Sequence, residues 1–179
     1  SPIFSKYAVI GSDHHLVEFI TDYLRMMVSG NLNPHEIESL MDSEIETHHQ
    51  EAHGPMNSIN KLGDGLPAFG IVAAVLGVVK TMASVGAAPA VLGQMIAGAL
   101  VGTFLGILMA YGFVSPLASL LEQKAEEAAK ELLCVKTTLL ASMQGYAPAI
   151  AVEFGRKVLF STERPTFAEL ETHVKQKKA

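Results

Sequence analysis

Basic clusters are missing from this 179-residue chain. Thirteen Lys and Arg stand against eighteen Asp and Glu, for a net charge of −5, and the basic residues are scattered rather than grouped. Without a basic patch or stripe, nucleic-acid binding is excluded. Cysteine is nearly missing as well: Cys134 is the single one, so it closes no internal disulfide. It has no partner at metal-ligand spacing and reads as an inert thiol. No glycine-rich phosphate loop, nucleophile elbow or paired catalytic carboxylates are present, so no enzyme signature emerges. The most informative scarcity is of charge. Charged residues are frequent from Asp13 to Asp64 and from Glu122 to Lys178, but between Gly65 and Leu121 there is only Lys80. A water-soluble domain rarely leaves so long a stretch uncharged.

Periodicity divides the chain. Leu16, Ile20, Tyr23, Leu24 and Met27 recur at helical spacing, with Gly30 as a stop signal. Asn33, Pro34 and Glu36 then form a start signal, a side-chain cap with proline at the first helical position and Glu three residues after the cap. Ile37, Leu40, Met41 and Ile45 are the expected buried stripe of that second helix. Leu66 to Val85 and Leu92 to Pro116 are apolar runs long enough to cross a membrane at about 1.5 Å per residue, joined by a turn from Gly86 to Pro89. Lys80 falls near the end of its run, where it can snorkel to the interface. Beyond Pro116 a helix is expected to continue into water, with Leu117, Leu120, Leu121, Leu132, Leu133, Leu139 and Leu140 on one side and a Glu126–Lys130 pair on the other. Gly145 and Pro148 interrupt it before a charged tail.

The expected architecture is therefore an all-α membrane protein: a transmembrane helical hairpin at 66–121 between helical regions at 1–65 and 122–179. Both flanks are charged and the turn is not, so the positive-inside rule puts both flanks in the cytoplasm. The rival arrangement, a soluble pair of core helices, would need polar faces that these runs lack. The chain opens without Met and has no leader-like segment ahead of Leu66, so it is expected to begin inside a longer product.

Three groups of residues invite a functional reading. Gly98, Gly102, Gly106 and Ala110 stand four apart and share one helix face, which suits close approach of a second helix in lipid. His49 and His53 stand one turn apart beside His48 and Glu51 and could share a zinc ion, but they lack a metalloprotease order. A solvated helix end is favoured for them and for His14 and His15, and no metal is expected. Neither apolar run contains Asp, Glu or His, so an ion path through them needs an acid from a partner. Thr103 is the deepest polar side chain. Two readings of it stay open: a hydroxyl bonded back to its own helix, or one lining a path.

LPAFGIVAAVLGVVKTM from Leu66, VGTFLGILMAYGFVSPLA from Val101 and GYAPAIAVEFGRKVLFSTERP from Gly145 closely resemble the flagellar stator MotA family, a relative of ExbB and TolQ. The upstream YLRMMVSG and EIESLMDSEIETH segments look similar too. The resemblance runs from end to end and matches the later part of that family, with its third and fourth crossings. It implies a motor subunit of the bacterial inner membrane that conducts protons with MotB, which supplies a membrane aspartate, and turns the rotor protein FliG. It also implies a pentamer around a MotB dimer and no cofactor beyond the transported proton. By the same resemblance, Thr103 and Tyr111 line the ion path, Pro67 and Pro116 couple proton movement to conformational change, and Glu44 is a rotor-interacting charge. Sodium-driven relatives carry a threonine where Ala74 stands, which favours protons here. The alternatives are an ExbB- or TolQ-like energising subunit and a non-conducting membrane scaffold.

Overall fold

The computed structural model describes residues 13–30 and 33–176, and every regular element among them is helical. Helix α1 spans His14–Ser29. The Asp13 carboxylate caps it by accepting from the Leu16 amide at 3.0 Å, and Gly30 ends it at φ +70°, a left-handed conformation that costs glycine nothing. Helix α2 spans Pro34–Met82. Its start is a reciprocal box: the Glu36 amide donates to Asn33 Oδ1 at 3.0 Å and the Asn33 amide donates to Glu36 Oε2 at 2.9 Å. After a turn closed by the Ser84 and Ala87 amides, helix α3 runs Pro89–Met109 with proline at its first turn. A π-helical segment follows at Ala110–Val114, then α4 at Ser115–Met143, α5 at Pro148–Val158 and α6 at Phe167–Gln176.

Two expectations need correction. The helix beginning at Pro34 and the apolar run beginning at Leu66 are one uninterrupted 49-residue helix that passes through Pro55 and Pro67. Each proline deletes a single backbone donor, whereas a full break would strand up to about four amides and four carbonyls. The second apolar run is likewise not one regular helix. At Ala110–Val114 the turn widens: the Ala110 amide is shared between the Gly106 and Ile107 carbonyls, and the Ser115 amide reaches back to the Ala110 carbonyl, five residues away. Pro116, just beyond, cannot donate, and its ring crowds the preceding turn of a regular helix. The extra residue relieves that crowding.

The described residues fall into two compact units, one made of residues up to Glu51 with those from Ala125 onward, the other Ala52–Lys124. The first has a core of Leu16, Phe19 and Tyr23 from α1, Ile37 and Met41 from α2, and Leu132 and Leu140 from α4. Each such side chain contributes about 1.5–3 kcal/mol by leaving water. Leu24 and Leu40, expected in the buried stripes, sit at the stripe edges at 39% and 44% exposure, and Phe19 lies inside. On α4, Leu132 and Leu140 are buried while Leu117, Leu120 and Leu121 are exposed, so the expected apolar side is packed only in its later half. Lys130 places its ammonium 5.4 Å from the Phe160 ring centroid, a cation–π contact in place of the expected pairing with Glu126.

In the second unit α2 and α3 pack antiparallel, Gly77 against Ala99, Gly70 against Gly102 and Leu66 against Gly106. Both helices are long and apolar enough to cross a membrane, and only 11% and 6% of their most apolar windows are buried. Phe69, Leu76, Val79 and Phe104 are each more than half exposed. Core helices of a water-soluble fold do not present such faces.

Candidate functional site

Glycine sets the geometry where α2 and α3 meet. A methyl added at Gly70 would lie 2.8 Å from the Gly102 carbonyl oxygen, and one at Gly106 would lie 2.6 Å from that of Leu66. At Gly77 it would meet the Ala99 methyl at 2.5 Å, and at Gly102 the Ala73 methyl at 3.0 Å. These contacts exist because the two backbones approach without intervening side chains. Gly98 differs: a methyl there meets nothing within 4 Å. It lines a groove of about 320 Å³ with Ala73, Gly77, Lys80, Thr81 and Met95. Thus Gly102 and Gly106 sit at the helix contact and Ala110 is fully buried, while Gly98 only borders the groove, which Gly102 also lines.

The close approach brings Thr103 to the neighbouring helix. Its hydroxyl donates to the Gly70 carbonyl oxygen at 3.2 Å, across 33 residues of chain, and not to its own helix. Thr81, by contrast, bonds back to Gly77 of its own helix at 2.9 Å. Once its hydrogen is committed to Gly70, the Thr103 oxygen offers only acceptor capacity to anything that approaches it. Ala74 lies one turn from Gly70 and is half-buried. Tyr111 is 68% exposed in the π segment, and Pro116 is exposed just after it. Pro67 is half-buried near the start of the glycine contacts. Thr103, Ala74 and the glycines therefore share one helix contact, whereas Tyr111 and Pro116 form a separate group at the widened turn. A methyl at Gly63 would meet Val114 Cγ1 at 3.4 Å and Ser115 Oγ at 3.5 Å, so that turn packs on α2 one helical turn before Pro67.

Glu44 belongs to the other unit, where its Oε2 accepts a hydrogen bond from the Tyr23 hydroxyl at 2.7 Å. Burial, reinforced by the Glu44 carboxylate, raises the Tyr23 phenol well above its ordinary range. Nearby, Lys136 is 7% exposed and bonds to Asp42 Oδ1 at 2.6 Å, with Glu38 3.8 Å away. No sequence spacing announces this pair, since its members stand 94 residues apart. His15 and His48 stack with ring centroids 4.3 Å apart. Burial first, then the neighbouring His15, lowers the His48 pKa. Among the described residues no group of three or more His, Cys, Asp or Glu side chains is placed to hold a metal ion. Burial also pushes the Cys134 thiol up, which keeps it protonated and unreactive.

Comparison with known proteins places this geometry. Residues 12–133 match the model of the MotA/TolQ/ExbB proton channel family. The chain is 60% identical over 175 residues to Motility protein A of Salmonella typhimurium and 59% identical to that of Escherichia coli, covering 98% of this chain and 59% of each relative. It is 38% identical over 171 residues to the chemotaxis protein LafT of Vibrio parahaemolyticus, 60% of which it covers. The chain thus spans about three-fifths of the length of these relatives. Among solved structures, the flagellar MotAB stator complex of Bacillus subtilis superposes with a TM-score of 0.72 at 25% identity, covering 82% of this chain and 57% of that one. The MotAB structure of C. jejuni superposes at 0.76, with 20% identity, covering 91% and 63%. With its paired apolar helices, its glycine contact and a family match across two-thirds of its length, the chain belongs to the MotA/TolQ/ExbB proton channel family, a family of ion channels and not of enzymes.

Proposed function

We propose that this chain is part of a flagellar stator subunit of the MotA type, which joins MotB to conduct protons across the bacterial inner membrane and drives the rotor through FliG. The observation that carries the reading is the Thr103 hydroxyl on the Gly70 carbonyl, inside a pair of apolar helical stretches, within residues 65–121, that contain no Asp, Glu or His. A path through such helices needs an acid from elsewhere, and a MotB aspartate supplies it. Thr103, Tyr111 and Ala74 then line the path. Pro67 and Pro116 transmit the protonation event, since neutralising a carboxylate changes its desolvation cost and so the packing its neighbours prefer. Ala74 brings no oxygen ligand, which suits a proton better than a dehydrated sodium ion.

In this reading residues 66–121 form a transmembrane hairpin, the third and fourth crossings of the whole protein, with both flanks in the cytoplasm. Gly102, Gly106 and Ala110 serve close helix packing, Gly98 of the same ladder does not, and Glu44 contributes to rotor engagement. Five copies surround a MotB dimer. The identity to two Motility A proteins supports the flagellar role over that of an ExbB- or TolQ-like subunit. The test is co-purification of the complete protein with a MotB-type partner, followed by mass measurement of the intact complex. A five-to-two assembly is expected; failure to retain the partner in a mild detergent would overturn the reading.

A further inference from the structure

Tyr23 is 1% exposed, with its ring tilted against Phe19 at a centroid distance of 4.7 Å. A phenol buried this deeply needs a partner for its hydroxyl, because leaving the group unpaired costs its full desolvation penalty. The partner is Glu44, 2.7 Å away and on a different helix, 21 residues along the chain. Glu44 is itself only half-buried. Its carboxylate thus has one oxygen committed to the interior of the unit, where α1 is seated on α2.

The outer side of α1 is charged: Asp22 and Arg25 pair at 3.4 Å with their side chains 50% and 77% exposed. A displacement of α1 would carry these charges with it. We propose that Glu44 is a positioning residue: it contributes to torque by satisfying the buried Tyr23 hydroxyl and so seating α1, not by presenting its own charge to the rotor. This inference rests on the stator reading above, and it assigns Glu44 a different means of action within it. Glutamine at this position still offers an acceptor oxygen, whereas alanine offers none.

The experiment uses the complete protein with its MotB-type partner and compares Glu44→Gln, Glu44→Ala, Tyr23→Phe and the Tyr23→Phe/Glu44→Ala double variant. Torque is read from tethered cells, and the seating of α1 from hydrogen exchange of its amides in the purified complex. Glu44→Ala is expected to lower torque and to speed α1 exchange by roughly tenfold or more, since it strands a buried hydroxyl. Glu44→Gln should keep most of both. Adding Tyr23→Phe to Glu44→Ala should restore both, because removing both partners leaves nothing unpaired. Equal damage from Gln and Ala, a double variant no better than Glu44→Ala, or an unaffected Glu44→Ala each overturns the proposal. Proton leak, read with a plug-deleted partner, should be unchanged in all four. Absence of leak from the plug-deleted complex carrying the unmutated chain would instead count against the stator reading.

Discussion

Thr103 and Gly70 are joined across the helix pair by a hydroxyl-to-carbonyl hydrogen bond of 3.2 Å, which the absence of a side chain at Gly70 makes possible. A methyl at Gly70 would also lie 3.1 Å from Thr103 Cα. The same small residue therefore fixes how near the helices come and how the Thr103 oxygen is presented. Packing and site chemistry are set by one contact.

That contact predicts a gradient along the glycine ladder. Gly106→Ala brings a methyl to 2.6 Å from a backbone oxygen that cannot rotate away, so overpacking of about 1–3 kcal/mol is expected. Gly98→Ala meets open space and should be silent. Thermal denaturation and assembly yield of the two variants check this; equal behaviour contradicts it.

Much of the fold is legible in the sequence because it is written in local signals. Gly30 marks the end of α1 by its left-handed φ, and Asn33, Pro34 and Glu36 mark the start of α2, where two bonds span three residues. The continuity of α2 was not legible: the polar His48–His53 stretch read as a helix end, while the cost of a break falls on backbone groups that carry no sequence mark. The π segment is similarly hidden: Pro116 announces a disturbance but not the extra residue that absorbs it. In the site, Thr103 stood out as a lone deep hydroxyl, yet its acceptor is a backbone oxygen 33 residues away. Tyr23–Glu44 and Lys136–Asp42 depend on tertiary packing and had no signal at all.

The Lys136–Asp42 pair predicts an asymmetric mutational response. Asp42→Asn leaves a buried ammonium with only Glu38 nearby, and should destabilise by about 1–2 kcal/mol, less than a fully buried pair because Asp42 is 57% exposed. Lys136→Met removes the buried charge itself and should cost less. Denaturant unfolding of both variants is the measurement.

Acid should loosen the α1–α2 junction. The folded state lowers the His48 pKa below its ordinary 6.5, so between those two values the unfolded chain binds more protons. The stability contributed by neutral His48 is complete above pH 6.5 and is lost as pH falls through the lowered value. His48→Gln should flatten the melting temperature between pH 5 and pH 7 relative to the parent protein, and an identical slope in both contradicts the assignment.

Pro116→Ala restores a backbone donor beyond the π segment and removes the ring that crowds it. Assembly with the partner should persist while rotation is impaired, because the segment can then relax to a regular helix. Cell tracking alongside co-purification separates the two effects, and normal swimming would remove Pro116 from the coupling.

The most direct test of the account is proton flux through the complete complex carrying a plug-deleted MotB-type partner. Thr103→Leu should cut flux by an order of magnitude or more, since it replaces the acceptor oxygen with an apolar side chain, while Thr103→Ser, which keeps the oxygen, should retain it. Wild-type flux through an assembled Thr103→Leu complex would contradict the placement of Thr103 in the ion path.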